Sequence, residues 1–197
     1  KEAWCDDVTA VTDIGVLSVE AFTQQRNHPD NIATNGATRM LLEGHYLFDI
    51  LDTESDFAKY KVLILPDIIQ ASGALKAKLD DYVAHGGKLL ASGDSAIDFD
   101  RGAMQFDLGC RYERRSAFCP AYADPTVPLR NMDPGTYVIY GAGHVVQATG
   151  EVLAQRETPY FNRTVEHFCS HKHAPNSGEI EGAAVTVGPQ GAYFSWK

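Results

Sequence analysis

Apolar and polar positions in the first half of the chain alternate between short buried runs and amphipathic stretches. Ile14-Gly15-Val16-Leu17-Ser18 is a compact apolar run closing on a polar residue, which predicts a buried strand. A polar loop is expected from Phe22 to Asn31. Ala33, Ala37, Met40 and Leu41 recur at i, i+4, i+7 and i+8, one face of a helix, and Gly44 suits its stop. Tyr46 to Leu51 predicts a second strand. The polar connector Asp52 to Asp56 leads to Tyr60-Lys61-Val62-Leu63-Ile64-Leu65-Pro66, the clearest strand in the chain. Ser72 stands at the N-cap of a helix with Leu75, Leu79, Tyr82 and Val83 on its apolar face, and Gly86-Gly87 ends it. Lys88-Leu89-Leu90-Ala91-Ser92 is a fourth strand. Near-continuous apolar strands alternating with helices predict a parallel sheet covered on both faces, the α/β class.

Beyond Ser92 the rhythm loosens. Phe106 to Tyr112, Thr136 to Tyr140 and Glu151 to Gln155 read as strands, with Pro120, Pro125, Pro128 and Pro134 among the connections. Ala183 to Val187 and Ala192 to Trp196, split by Gly188-Pro189-Gln190-Gly191, predict a hairpin. No internal repeat is evident. The expectation is one domain over 1–197, with a parallel core at about 13–100 and a loop- and β-rich part at about 101–197. The chain starts without Met and stops inside a strand-like run, so it reads as part of a longer polypeptide.

Charge and hydropathy narrow the function. Seventeen Lys+Arg against 26 Asp+Glu give a net charge of −9, and the cations are not clustered. A nucleic-acid-binding face is therefore disfavoured. No apolar run approaches the ~20 residues that span a bilayer. Cys5, Cys110, Cys119 and Cys169 are widely spaced; Cys110 and Cys119 are near enough in sequence to bridge a small loop, but free and mostly buried thiols are the simpler expectation. Asn162-Arg163-Thr164 is a formal glycosylation sequon.

Ligands of an open parallel sheet collect at the carboxyl ends of its strands. Strand three ends at Asp67, which suits either ligand orientation or a loop cap. Strand four ends at Ser92-Gly93-Asp94-Ser95, where an α/β hydrolase or amidotransferase exposes its nucleophile. Ser95 lacks the second glycine of a tight elbow, so a turn with Asp94 or Ser95 as a helix cap is the expectation. The densest polar cluster is Asn162-Arg163-Thr164-Val165-Glu166-His167-Phe168-Cys169-Ser170-His171-Lys172-His173. If extended, it would place His167, Cys169, His171 and His173 on one face, a set able to ligate zinc, although neither a C-x-x-C nor an H-E-x-x-H spacing is present. A polar loop facing a ligand or partner domain is the favoured reading over a metal site. Asp98, Asp100, Glu157 and Glu166 are further carboxylates that a glycosidase would need in pairs, but solvated acids account for them. Trp4, Tyr46, Tyr160, Phe161 and Trp196 suit sugar stacking or core packing.

Tyr60 to Asp67, then Leu75, Leu79 and Tyr82-Val83, then Gly86-Gly87-Lys88-Leu89-Leu90, resemble the core of the β-galactosidase trimerisation domain. That domain is a class I glutamine-amidotransferase-like, flavodoxin-like module following a glycoside-hydrolase (β/α)8 barrel. Phe106 to Tyr112 resembles a later step of it. Pro159 to Thr164 with Glu166 to His171 is similar to the C-terminal segment of glycoside-hydrolase-like bacterial proteins, and the match runs from about Asp13 to Ser195. The resemblance implies a three-layer sandwich with a mainly parallel sheet and extra C-terminal strands. It also implies a (β/α)8 barrel in the same polypeptide, a homo-oligomer (a trimer), a carbohydrate nearby and no cofactor. Where true amidotransferases carry the nucleophilic Cys, this sequence has Gly93, so no glutaminase residue carries over. The implied role is a noncatalytic accessory domain, with the His-rich segment lining or capping the barrel's site. Two alternatives stand beside it: a small hydrolase, amidotransferase-like or ThuA-like, using Ser95 or Cys169 with a histidine, and a zinc module through the His-rich segment.

Overall fold

A computed structural model describes residues 3–23, 31–130, 132–170 and 173–197. A single 3-10 turn, Ala3–Cys5, precedes β1 (Ile14–Leu17), α1 (Val19–Thr23), α2 (Asn31–Glu43), β2 (Phe48–Leu51), β3 (Val62–Leu65), α3 (Gly73–Ala84) and β4 (Lys88–Ser92). There follow β5 (Ile97–Asp98), β6 (Ala103–Met104), β7 (Cys110–Arg115), β8 (Ala121–Pro125), β9 (Tyr137–Ile139), β10 (His144–Ala148), β11 (Glu151–Pro159), β12 (Asn176–Gly188) and β13 (Gly191–Phe194).

The four strands of the first half form as their apolar runs predict, and they pair in parallel in the order β2-β1-β3-β4. Gly15 makes room at the centre: a Cβ there would stand 2.5 Å from Leu51 Cδ1. The sheet does not stop at β4. β13 joins it in parallel, Leu89 opposite Gly191 and Ser92 opposite Phe194, and β12, β11, β8 and β9 continue it antiparallel. The result is a mixed α/β architecture on one nine-stranded sheet. The mainly parallel expectation holds only from β2 to β13. β7 and β10 form a separate antiparallel pair lying over β12 at Gly182, where a Cβ would stand 2.7 Å from Val146 O.

The main core gathers Leu17, Leu63, Leu65, Leu79, Leu89 and Tyr193 with their neighbours. A smaller cluster, Ala123, Ile139, Ala154, Ala184 and Val185, holds the antiparallel half. α3 ends as its glycines require: Gly86 takes φ +92 and its N–H reaches Val83 O, while Gly87 N–H reaches Tyr82 O. Ser72 occupies the extended N-cap position of α3, but its side chain makes no capping hydrogen bond. After α2 it is His45, at φ +58, and not Gly44 that takes the left-handed conformation.

Other expectations shift. The strand read over Phe106 to Tyr112 is out of phase with the structure. Phe106 and Leu108 are buried from a loop, Gly109 turns the chain at φ +80, and only then does β7 begin. β11 and β12 run well past the predicted segments because they pair along most of their length. α1, β8 and β10 had no clear signal. The polar loop expected from Phe22 begins later, since α1 runs to Thr23, and 24–30 lie outside the described residues. Cys110 is buried as expected, but Cys119 is exposed and Cys169 half-buried; all three are free thiols, so no Cys110–Cys119 bridge forms. No helix among the described residues is long and apolar enough to cross a membrane.

Candidate functional site

The turn after β4 is assembled from two strand ends. Ser92 Oγ donates to Asp67 Oδ1 at 2.6 Å and accepts the Asp67 N–H at 3.0 Å. Asp67 holds φ +41, and its carbonyl accepts the Asp94 N–H at 2.6 Å. Gly93 sits between them at φ +55, and a Cβ on it would stand 3.0 Å from Asp67 O and 2.8 Å from Lys197 Cγ. Its carbonyl accepts the buried Tyr193 hydroxyl at 2.6 Å. The turn is thus shaped around a residue without a side chain.

Asp94 lies just beyond, almost fully buried. His144 Nε2–H donates to its Oδ1 at 2.7 Å, Lys197 Nζ stands 2.9 Å from Oδ2, and Arg115 Nη1 is 3.7 Å from Oδ1. Burial works to raise the Asp94 pKa, but the hydrogen bonds from His144 and Lys197 outweigh it and hold the carboxyl at about 2. Phe99 and Tyr112 pack around the His144 ring. Ser95, wholly buried, offers its hydroxyl to no described residue, and His144 Nδ1 likewise lacks a partner among them. The His144 nitrogen that makes a hydrogen bond is thus engaged by a carboxylate, not by Ser95. A cleft of about 530 Å³ is lined by Ser72, Lys76, Asp98, Phe99, Arg101 and Gln105 among others, but neither Asp94 nor Ser95 reaches it.

A second polar group lies within the antiparallel half. Arg156 is fully buried, and its Nε–H donates to Glu181 Oε2 at 3.3 Å. Glu181 also accepts from Ser116 Oγ at 2.8 Å and from Arg114 Nη1 at 3.1 Å. Burial pulls the Arg156 pKa below its ordinary value, and Glu181 opposes that pull.

The His-rich segment forms the third group. Thr164 Oγ1 accepts the N–H groups of Glu166 and His167, and the Thr164 N–H reaches back to His167 O, so this stretch is a turn. The segment is therefore not the extended strand whose alternation would align its His and Cys side chains. Among the described residues no three His, Cys, Asp or Glu gather as a metal site; His171 lies outside the described residues. Asn162 is a clamp, its Nδ2 donating to Ala117 O at 2.6 Å and its Oδ1 accepting the Cys119 N–H at 3.3 Å. His173 Nδ1 bonds the Tyr140 hydroxyl at 3.0 Å, and its ring packs against Tyr140 and Tyr122. Arg163 lies over Phe168, and Phe161 packs on His167. Val165, Phe168 and Tyr160 are exposed apolar groups on this rim.

Asp67, Asp94 and Ser95 thus come together at one turn, while Asn162, Arg163, Glu166, His167 and His173 share a rim elsewhere. The segment from Tyr140 to His144 joins the two, bonding His173 at one end and Asp94 at the other. Sequence reasoning missed His144, Lys197, Arg156, Glu181 and Tyr140. Arg156 carried a signal, a lone cation two residues past an apolar run at Val152-Leu153-Ala154; His144, ahead of Val145-Val146, carried a fainter one.

Residues 38–104 match the family model of the β-galactosidase trimerisation domain, which bears out the resemblance carried by Tyr60 to Asp67 and Gly86 to Leu90. Among solved structures, α-L-fucosidase isoenzyme 2 from Paenibacillus thiaminolyticus is 40% identical, with a TM-score of 0.92 over 99% of this chain and 30% of that one. A β-galactosidase from Bacillus circulans sp. alkalophilus shares the fold at TM-score 0.67 and 15% identity, over 96% of this chain and 29% of that one. A ThuA-like protein from Bacteroides uniformis shares it at TM-score 0.53 and 15% identity, over 96% and 84%. The chain therefore spans less than a third of the length of the fucosidase and the galactosidase. No curated protein matches it.

Proposed function

We propose that this chain is a noncatalytic accessory domain of a longer glycoside hydrolase, serving oligomerisation and shaping a neighbouring carbohydrate site. The strand order β2-β1-β3-β4-β13 is that of a flavodoxin-like sheet. Right-handed crossovers from β1 to β2 and from β3 to β4 would set α2 and α3 on opposite faces, the three-layer arrangement. We read residues 1–197 as a single domain, because β13 sits inside the parallel sheet while pairing with the antiparallel half.

The observation carrying the noncatalytic reading is the turn after β4. Where an amidotransferase-like fold would present its nucleophile, Gly93 fits only because it has no side chain, and the neighbouring Ser95 hydroxyl is buried and makes no hydrogen bond to His144. Oligomerisation draws support from the opposite edge of the molecule. None of the described side chains of α2 is fully buried, and Ile32, Met40 and Leu42 on it are exposed, as are Tyr46, Leu47 and Ile50 at the edge strand β2. Apolar surface on that scale belongs at an interface. The rim of Tyr160, Arg163, His167, Phe168 and His173 combines aromatic faces with hydrogen-bonding tips, the chemistry that stacks on and orients a sugar.

The test compares the chain alone with a longer protein carrying it. The chain alone should hydrolyse neither aryl fucosides, aryl galactosides nor glutamine. In the longer protein, His167→Ala with Phe168→Ala should raise KM for the glycoside several-fold with the fold intact. Turnover by the isolated chain would sink the reading. A second reading, a small hydrolase of ThuA-like type, draws on the fold shared over most of the Bacteroides uniformis protein. Rapid stoichiometric labelling of Ser95 or Cys169 by a serine- or thiol-directed probe would favour it.

A further inference from the structure

Four strands converge on one guanidinium. Arg156 projects from β11, β12 supplies Glu181, Gly143 immediately precedes β10, and Ser195 immediately follows β13. Gly143 is the floor of the arrangement: a Cβ there would stand 2.6 Å from Arg156 Nη1 and 2.7 Å from Ser195 O. Arg156 and Ser195 are both 0% exposed. No described residue accepts from Arg156 Nη1 or Nη2, and none pairs with the Ser195 hydroxyl.

The charge balance is equally one-sided. Glu181 reaches Arg156 only through Nε, and the same carboxylate serves Arg114 and Ser116. Two guanidiniums therefore share one acid. A guanidinium keeps its proton in a protein, so the outer edge of Arg156 presents a buried positive charge with its donors unanswered. A neutral water would satisfy donors but leave the excess charge. A small anion would satisfy both, and the planar donor edge of arginine suits one. Complete burial limits the occupant to a size that sheds its hydration and passes into the interior.

We propose that the outer edge of Arg156 binds a monovalent inorganic anion of about the size of chloride. Such an ion would tie β10 to β11, β12 and β13. Asn162 follows β11 and holds Cys119, whose thiol reaches Tyr140 O, so the ion would stiffen the rim joined to β11. This inference is independent of whether the parent protein is a glycosidase.

Crystals of the protein soaked in bromide should show an anomalous peak at the Arg156 Nη edge. The melting midpoint should rise and saturate with chloride, relative to gluconate at equal ionic strength, and Arg156→Met should abolish that dependence. Arg156→Lys, which keeps the charge but loses the planar donor edge, should shift the same dependence to several-fold higher chloride, and it keeps the test open should Arg156→Met fail to fold. Non-exchanging solvent density at the site, or a midpoint indifferent to chloride in the parent chain, would overturn the proposal.

Discussion

His144 Nε2 lies 2.7 Å from Asp94 Oδ1, and this buried contact ties the start of β10 to the turn leaving β4. The two residues are 50 positions apart; Asp94 lies in the turn after a strand of the main sheet, while His144 opens a strand of the separate two-stranded one. Lys197 closes the other carboxylate oxygen. The arrangement resembles half of a catalytic triad, yet its carboxylate and imidazole serve each other and leave Ser95 aside.

Acid should therefore loosen this junction. Folding lowers the Asp94 pKa from 3.8 to about 2, so its contribution is complete above the unfolded value and is lost as pH falls through the folded one. Asp94→Asn should cost about 3 kcal/mol at neutral pH by stripping a buried partner from His144 and Lys197. It should also flatten the acid limb of the stability curve between those two pH values. Urea melts across that range would check both, and an unchanged acid limb would count against the assignment.

Asp49 provides a half-buried counterpart. Lys59, Thr12 and Tyr60 all reach its carboxylate, and hydrogen bonding led by Lys59 holds its pKa at about 2. The sign is the same: its stabilisation is lost as pH drops from the ordinary range towards 2. Its leading partner, Lys59, is exposed, so 1 M salt should weaken the Asp49 contribution more than that of Asp94. Comparing Asp49→Asn with Asp94→Asn at low and high salt separates the two.

Restoring a side chain at the turn should not restore chemistry. Gly93→Ser or Gly93→Cys should destabilise by ~1–3 kcal/mol, because φ +55 and Asp67 O both oppose a Cβ. Neither variant should gain esterase or glutaminase turnover. Measurable activity in the cysteine variant would mean that the surrounding groups still form a working site.

The Arg156–Glu181 pair should show strong coupling. Glu181→Gln removes the charge facing a buried guanidinium and should cost about 3 to 5 kcal/mol. Replacing both residues, Arg156→Met with Glu181→Leu, should cost clearly less than the sum of the single changes. A double-mutant cycle by denaturant unfolding measures the difference, and additive losses would contradict the buried pairing.

The apolar edge should govern association. Ile50→Lys with Met40→Glu should lower the apparent mass in sedimentation without moving the far-ultraviolet circular dichroism spectrum. An unchanged mass would direct the search for the interface to other surfaces.

Local pattern alone determined much of this protein. The runs at Val62–Leu65 and Lys88–Ser92, the α3 face of Leu79 and Tyr82, and the Gly86-Gly87 stop specify a parallel α/β half, because burial and backbone sterics there act between near neighbours in sequence. Tyr60 to Asp67 likewise carried the family resemblance. Tertiary structure alone decided that β13 leaves its hairpin partner on one side to join β4 on the other, since strand pairing across a hundred residues leaves no local periodicity. It also decided that His144 meets Asp94 and that Arg156 meets Glu181. A buried charge is tolerable only with a partner that compensates it; that partner is set for His144 by how two sheets stack and for Arg156 by the register of β11 against β12, not by either segment's own composition.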